Sequence, residues 1–356
     1  EYIEALPPIA ACEERSISEM VPEAMSGLMD YFQHVRSTWA EKPHFLGWSD
    51  GSATNWVFPE VLAFFANYSA DPVAQFFYNE SYADHPSASP TMLLILGDPI
   101  EEAEPELPPA RIMPDQALAF LRTGWRRGDT LLALNNLRTI TGHGHLDRNS
   151  IILEYNGEQL LLDPGMIAYG DPNSRLYHST FCHNTLTFSQ RDQSPERKCL
   201  DNGITHFQHM SGDRCPGIDG SIDWITSDAS QAYLEAELFL RHILFLRPGI
   251  FVIIDEVKAK QPESIELNFT CLGPLQVRGN RIDAVSGVKG GGDKKEPYKC
   301  GYYEQEFLST ADRNTLTIHS QASSVLNYNF KNWGTTWPDT PSYRLIRSTA
   351  EPVESC

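Results

Sequence analysis

The stretch TGHGHLDRNSIILEYNGEQLLLDPG, at residues 141–165, collects two histidines and two aspartates within a short part of the chain. Side chains alternate along an extended backbone, so His143, His145 and Asp147 point to one side if this part of the chain is extended. Imidazole and carboxylate groups placed together can hold a divalent metal ion or exchange protons with a substrate. A single histidine is explained as well by a structural role, so the interpretation depends on further ligands.

The residues after the histidines predict how a second carboxylate reaches them. SIILEY and EQLLLD are typical of strands and flank an Asn-Gly pair, which is a strong signal for a β-hairpin. In the simplest register, Asp163 lies opposite Ser150 and returns towards His145. A third imidazole could come from His183, at the head of the predicted strand in FCHNTLTF. Such a set is typical of a site for a borderline-soft divalent metal.

The pattern H-x-H-x-D-R also resembles the metal motif of metallo-β-lactamase-type hydrolases. In those enzymes the motif follows a strand and runs into a helix, within an αββα core. Here the next residues are NSIILEYNG, which are β-branched and end in a turn signal, so we do not expect a helix. A zinc-dependent hydrolase is therefore the second interpretation of the same residues.

The amino-acid composition and net charge exclude some classes of binding partner. The chain has 356 residues and a formal net charge of −19, which argues against a nucleic-acid-binding protein because such proteins need a basic surface. An anionic ligand has to find a local basic pocket. The sequence contains no run of about 18 apolar residues, so no membrane span is expected.

The order of predicted elements indicates two parts. Apolar residues three and four apart predict a helix over 20–42, and 57–69 and 72–82 continue this character. The acidic, Pro-rich residues 101–115 are typical of a linker. Strands at short, regular spacing follow, which favours an antiparallel sandwich. The predicted strands are ALAFLRTGW, DTLLALNNL, SIILEY, QLLLD, HNTLTFS, EAELFLRHILFL, GIFVIIDEV, SIELNFTCL and TLTIHSQA.

Three stretches together resemble the heparinase II/III-like polysaccharide lyases, a family that includes alginate lyases and uronyl epimerases. They are HGHLDRNSIILEYNGEQLLLDPG, YHSTFCHNT and LRHILFLRPGIFVIIDEV, in the family's order within 120–260. The resemblance implies an α+β multidomain protein in which a partial α/α toroid precedes an antiparallel β-sandwich, with the site between them. We therefore expect a helical toroid portion over 1–105, truncated at its N-terminus, and the β-sandwich over 106–356.

The resemblance also implies roles for the residues of the first and second stretches. It implies that His143 is catalytic. It further implies that His145, Asp163 and His183 hold a divalent metal ion, expected to be zinc, that organises the site. Asp147 is expected to orient the loop or a histidine without contacting the metal itself.

A catalytic tyrosine from the helical half is also implied by the resemblance. Counting back the family's usual distance from His143 passes the first residue, and Tyr2 is the tyrosine nearest that position. Tyr177, Arg148 and Arg175 are candidates for substrate binding, because aromatic and guanidinium groups suit an anionic sugar. Packing of the ring and solvation of the arginines explain these three residues as well.

The implied function is that of a carbon–oxygen lyase acting by β-elimination on an anionic polysaccharide that contains uronic acid. The C5 proton is removed and the bond from C4 to the glycosidic oxygen breaks. A uronyl C5-epimerase forms the same carbanion and returns the proton to the other face. This epimerase, the zinc-dependent hydrolase and a non-catalytic glycan-binding module are the alternatives. The substrate class implies a periplasmic or secreted protein.

Overall fold

The structure is a computed structural model. It describes residues 12–14, 19, 26–38, 45–51, 59–68, 70–82, 99–106, 108–126, 128–138, 142–155, 158–163, 165, 174–195, 201–212, 220–272, 275–278, 281–286, 301–306, 316–320, 342–349 and 353–355. From residue 271 onward the description covers the backbone of the strands.

Helices are concentrated in the first part of the described chain. They are α1 (Ser26–His34), α2 (Pro59–Tyr68), α3 (Pro72–Tyr82) and the short α4 (Ser174–Tyr177). The helices predicted over 57–69 and 72–82 are confirmed as α2 and α3, and both begin at proline, which suits a first helical turn. The Asp71 carboxylate caps α3 by accepting hydrogen bonds from the amides of Val73 and Ala74, at 2.9 and 3.2 Å.

The helix predicted over 20–42 is shorter than expected. Residues 35–38 are not helical, and Arg36 pairs with Phe45 in an isolated antiparallel bridge, so the prediction is wrong for this end. Among the described helices, none is both long and apolar enough to span a membrane. The α/α toroid stays a prediction.

Strands account for most of the remaining described chain. They are β1 (Ala110–Met113), β2 (Leu118–Arg122), β3 (Leu131–Asn135), β4 (Ser150–Tyr155), β5 (Glu158–Leu161), β6 (Leu186–Phe188), β7 (Gly203–Ser211), β8 (Ser221–Asp228), β9 (Ala236–Leu246), β10 (Ile250–Glu263), β11 (Ile265–Leu272), β12 (Leu275–Arg278), β13 (Arg281–Ser286), β14 (Gly301–Glu306), β15 (Leu316–Ser320), β16 (Ser342–Thr349) and β17 (Val353–Ser355). Each of the nine strands predicted from the sequence coincides with one of these strands.

The described strands form antiparallel sheets with the orders β1-β2-β3-β4-β5, β17-β10-β9-β8-β7, β15-β16-β11-β6 and β12-β13-β14. The first two sheets share one apolar core. Leu121, Leu134 and Ile151 enter it from the first sheet, and Ile225 and Phe245 enter it from the second. Two antiparallel sheets that pack through their apolar faces are consistent with the expected β-sandwich.

The other face of the first sheet packs against the segment that follows α1. Val35 and Leu46 join Leu118, Phe120 and Ile152 in a second apolar cluster. Because both faces are covered, β2 and β3 are buried along their whole length. This burial explains why their sequences are continuous apolar runs.

Two corrections concern the strand predictions. The apolar pattern did not predict β7, β8, β12, β13, β14, β16 or β17. Strand β7 is largely exposed, and its sequence, GITHFQHMS, is mainly polar. Residues 110–113, predicted to belong to a linker, form β1 and pair with β2, so the linker prediction is wrong there. The domain division at 105/106 stays a prediction.

Buried ionic side chains join the segment after α1 to the first sheet. Glu154 on β4 accepts hydrogen bonds from the amide and the hydroxyl of Thr38, at 2.7 and 3.1 Å. Arg122 on β2 donates to the carbonyls of His34 and Arg36, both at 2.5 Å. Burial raises the pKa of Glu154, although the bonds from Thr38 favour its charged form. These contacts hold the segment, and with it the loop at 45–51, against the sheet.

We expect His34 to make the protein less stable in mild acid. Burial against Phe120 and Trp125 lowers its pKa from 6.5 to about 4. As pH falls from 6.5 towards 4, the unfolded chain takes up a proton that the native ring does not, so up to about 3 kcal/mol of stability is lost. Urea unfolding at several pH values should show a smaller loss for His34→Leu. His206→Leu, on the exposed strand β7, is the control, and equal pH dependence in both variants would contradict this assignment.

Candidate functional site

The H-x-H motif lies between β3 and β4, and its histidines have different environments. The side chain of His143 is 74% exposed, whereas that of His145 is fully buried. The chain forms a turn at Gly142 and His143, so the condition of an extended backbone is not met at the start of the motif. Both rings nevertheless reach a common partner, the carboxylate of Asp50.

The hairpin that returns Asp163 is formed by β4 and β5 as predicted. A register shift precedes the last pair, Leu153 with Leu161, and Asp163 lies beyond it. The predicted pairing of Asp163 with Ser150 is therefore wrong in detail. The irregularity does not prevent the approach to the second histidine stretch, since Asp163 Oδ2 lies 2.8 Å from His183 Nδ1.

Three ligand-type side chains from separate segments converge in the protein interior. One possible ligand atom from each of His145, Asp163 and His183 lies within 4.8 Å of the others. All three residues are buried, and the His145 Nδ1 atom has no hydrogen-bond partner among the described residues. Two imidazoles and one carboxylate are a common donor set for zinc, and three protein ligands leave a fourth position open. The residues therefore fit a divalent metal ion, and their role as ligands stays a prediction.

The charges of these groups depend on their burial. Burial and the neighbouring His183 lower the pKa of His145 to about 3, so this imidazole is neutral near pH 7, as a metal ligand must be. Burial alone would lower the pKa of His183, but Asp163 raises it overall. Burial also raises the pKa of Asp147 to about 6. Asp147 accepts a hydrogen bond from the Ser49 hydroxyl at 3.3 Å, and its supporting role stays a prediction.

Asn184 explains how the residue next to it, His183, is placed. Its amide nitrogen donates to the carbonyls of Ile151 and Leu162, at 2.6 and 2.9 Å. Its amide oxygen accepts the Thr270 amide at 2.7 Å. The H-N-T sequence is thereby bonded to β4, β11 and the residue that follows β5. These bonds fix His183 beside the end of the hairpin.

A fully buried guanidinium holds the two histidine-bearing loops together. Arg241 on β9 makes a bidentate ion pair with Asp255 on β10, with N–O distances of 2.7 and 2.8 Å. Its Nη1 donates to the carbonyls of Asn149 and Asn184, both at 2.6 Å. Asn149 follows the H-x-H-x-D-R motif and has a positive φ of 59°. A single side chain on the second sheet thus fixes the backbone of both loops.

Asp50 and His178 are also neighbours of the site, and neither was predicted to be a ligand or a catalytic residue. Asp50 Oδ2 lies 2.7 Å from His143 Nδ1, and Asp50 Oδ1 lies 3.1 Å from His145 Nε2. His178 Nε2 lies 3.8 Å from Asp50 Oδ1, and the rings of His145 and His178 have centroids 4.2 Å apart. No spacing rule predicts the approach of Asp50, which is 93 residues before His143.

The remaining predicted residues differ in exposure. Arg148 is fully buried and donates from Nε to the Leu137 carbonyl at 3.0 Å, and Tyr177 is also fully buried. This burial contradicts direct substrate binding by either side chain. Arg175 is exposed on α4 and stays a candidate, while Tyr2 lies outside the described residues.

The hydrolase interpretation of H-x-H-x-D-R required a helix after the motif. The structure has β4 there, beginning at Ser150. The secondary structure next to the motif therefore disfavours a zinc hydrolase of the β-lactamase type. The predicted metal-ligand set of His145, Asp163 and His183 does not depend on whether a helix or a strand follows the motif.

We expect Arg241→Gln to destabilise the protein by about 3–5 kcal/mol, because it leaves Asp255 and two buried carbonyls without their donor. A matched control is Lys258→Ala, which removes an ion pair with Glu237 across the same two strands. Both partners of that pair are more than half exposed, so the loss should be below about 1 kcal/mol. Urea unfolding measures both. Similar losses for the two variants would contradict a special role for Arg241.

Comparison with known proteins relates this site to a family. Residues 113–291, half of the chain, match the profile described as heparinase II/III-like, C-terminal. No curated protein sequence matches the chain.

Several solved structures are similar to the chain. A mutant of the heparan sulfate lyase HepC from Pedobacter heparinus is 14% identical, with a TM-score of 0.64 over 96% of this chain and 47% of that one. A structure of heparinase III is 12% identical, with a TM-score of 0.62 over 94% of this chain and 50% of that one. The chain thus spans about half the length of these proteins, and the likeness shows a shared fold. Given the profile match over half of its length, the chain belongs to the heparinase II/III-like family.

Proposed function

We propose that the protein is a polysaccharide lyase that cleaves an anionic, uronate-containing polymer by β-elimination. The observation that carries the proposal is the buried set of His145, Asp163 and His183 beside the exposed imidazole of His143. Membership of the heparinase II/III-like family supports it, as does a fold shared with proteins described as heparan sulfate lyase and heparinase III. Heparan sulfate is accordingly the first polymer to test.

The metal would be held by His145, Asp163 and His183, and we propose zinc because the donor set suits it. When bound, zinc would fix the loops against one another and so organise the site. The three proposed ligands are buried, whereas His143 is exposed, so among these four residues we propose His143 as the one that reaches the sugar.

The chemistry required of the protein follows from the substrate. The proton at C5 is weakly acidic, because its removal places a second negative charge next to the uronate carboxylate. A base takes the proton, the electron pair forms the bond between C4 and C5, and the glycosidic oxygen leaves C4 and receives a proton. Asp50 faces Nδ1 of His143, so Nε2 is the nitrogen that would exchange a proton with the sugar. Tyr2 remains the predicted second acid–base group.

The substrate carboxylate also has to be neutralised for the C5 proton to leave. The net charge of −19 opposes an anionic polymer at long range, so nearby cations have to act locally. Arg175 is exposed on α4, three residues before His178, and we propose it for this task. We further propose that the reaction takes place between a helical part over 1–105 and a β-sandwich over 106–356, in a periplasmic or secreted protein.

We expect the protein to generate ultraviolet absorbance from a conjugated double bond when it is incubated with heparan sulfate, alginate or chondroitin sulfate. His143→Ala should lose this activity while remaining folded, because most of its side chain is exposed. His206→Ala on β7 is the control and should remain active. Absence of absorbance with every uronate polymer would contradict the lyase. Solvent deuterium at C5 without new absorbance would support the epimerase instead.

Zinc should stabilise the wild-type protein against unfolding, by about 2.7 kcal/mol when the free zinc concentration is a hundred times the Kd. His183→Ala should abolish this zinc dependence, because it removes one of three ligands. His209→Ala is a matched control: His209 pairs with Asp223 at 2.6 Å on the second sheet, and this variant should still respond to zinc. Unfolding after chelation and after zinc addition measures the effect. A wild-type protein with no zinc dependence would count against the metal site.

A further inference from the structure

Asp50 lies where its two carboxylate oxygens face the two histidines of the H-x-H motif separately. Oδ2 is 2.7 Å from Nδ1 of the exposed His143, and Oδ1 is 3.1 Å from Nε2 of the buried His145. One carboxylate therefore joins the residue predicted to face the sugar with a residue predicted to hold the metal. The side chain of Asp50 is only 10% exposed, which strengthens both contacts because little water competes for them.

The chemistry of the carboxylate decides which ring nitrogens carry protons. An ionised carboxylate only accepts hydrogen bonds, so each nitrogen that faces it has to be a donor. His143 then carries its proton on Nδ1 and has its lone pair on Nε2. His145 carries its proton on Nε2 and has its lone pair on Nδ1, the buried atom that lacks a hydrogen-bond partner among the described residues.

The backbone around Asp50 holds the carboxylate in this position. The Asp50 amide donates to the His143 carbonyl at 3.0 Å, so the two loops are also joined through their main chains. Gly51 donates to the Trp48 carbonyl at 2.8 Å and closes a turn around the aspartate. In the same loop, the Leu46 amide donates to the Val35 carbonyl at 2.9 Å.

We propose that Asp50 is a positioning residue that sets the tautomers of both histidines with one carboxylate. It orients the Nδ1 lone pair of His145 towards Asp163 and His183, and it presents Nε2 of His143 to the substrate. A metal-bound imidazole whose other nitrogen donates to a carboxylate is a recurrent arrangement that orients the ligand. The inference rests on the proposed function for the metal and for His143, and it adds the residue that couples them.

The alternative role for the Asp50 carboxylate is that of a cation ligand. Asp50, His145 and His178 also offer ligand-type atoms within 4.8 Å of one another. A cation bound there would need the lone pair of His145 Nε2, which the proposed tautomer occupies with a proton. Asp50 Oδ1 is nearer to His145 than to His178, at 3.1 against 3.8 Å, which favours a hydrogen bond over a shared cation.

Asp50→Asn provides the test, because an amide has one accepting oxygen and a donating NH₂ group. Its NH₂ group has to face one of the two histidines, and that ring has to reverse its tautomer. If His145 reverses, we expect zinc to bind about 10–100-fold more weakly, as found when such supporting partners are lost. If His143 reverses, its ring ¹⁵N signals should move its proton from Nδ1 to Nε2. At least one of these changes is expected.

The experiment measures zinc affinity by competition with a chromogenic chelator, and tautomers by ¹⁵N-histidine NMR of the whole chain. Asp192→Asn is the control, because Asp192 also accepts two hydrogen bonds, from Ser179 and Thr180, and no histidine of the described residues donates to it. It should change neither readout. Unfolding free energies of the zinc-free proteins separate a general loss of stability from the expected effect.

Three other outcomes would contradict the proposal for Asp50 or the proposed metal site. The proposal is overturned if wild type and Asp50→Asn bind zinc equally and His143 keeps its proton on Nδ1 in both. Two zinc ions per wild-type chain, falling to one in His178→Ala, would overturn it in favour of a second cation site. If wild type binds no zinc, the proposed metal site fails, and the ¹⁵N signals of His143 still decide the role of Asp50 by themselves.

Discussion

The ion pair between Arg241 and Asp255 is the interaction on which the arrangement of the site depends most. The pair uses Nε and Nη2 of the guanidinium, so Nη1 can donate to the carbonyls of Asn149 and Asn184. Those carbonyls belong to the two loops that carry His145 and His183. A buried guanidinium needs hydrogen-bond acceptors for its N–H groups, and here backbone carbonyls of the site provide two of them. The second sheet thereby positions the three predicted ligands, which extend from the first sheet and from the start of β6.

The segment after α1 packs on the other face of the first sheet and brings Asp50 to the site. Glu154 and Arg122 lie in the first sheet and bond to the backbone of residues 34–38, and the apolar cluster around Val35 and Leu46 covers the same face. This packing brings Asp50 to the H-x-H motif. The polar residues at the site are thus held from both sheets and from the helical segment, which suits a site whose groups must keep fixed distances.

Much of the site was predictable from the sequence because its parts are local. The Asn-Gly hairpin returns Asp163 towards His145, as short-range geometry predicts. His183 was a candidate from its place at the head of a predicted strand, and the family resemblance implied its role as a ligand. The same local rules predicted nine strands, since buried strands have continuous or alternating apolar residues. They did not predict the exposed strand β7, where burial does not constrain the sequence, or the register of Asp163, which a bulge shifts. They also did not predict β8, β12, β13, β14, β16 and β17.

The sequence by itself determined which residue types are available, their order along the chain, and the strands and hairpin that follow from nearest-neighbour chemistry. Tertiary structure alone decided that Arg148 is buried against Leu137 and does not face solvent, and that Asp50 reaches two histidines more than ninety residues away. The physical reason is that periodicity and turn chemistry act over a few residues. Contacts between distant segments depend on how whole sheets and helices pack, which is a property of their combined apolar surfaces.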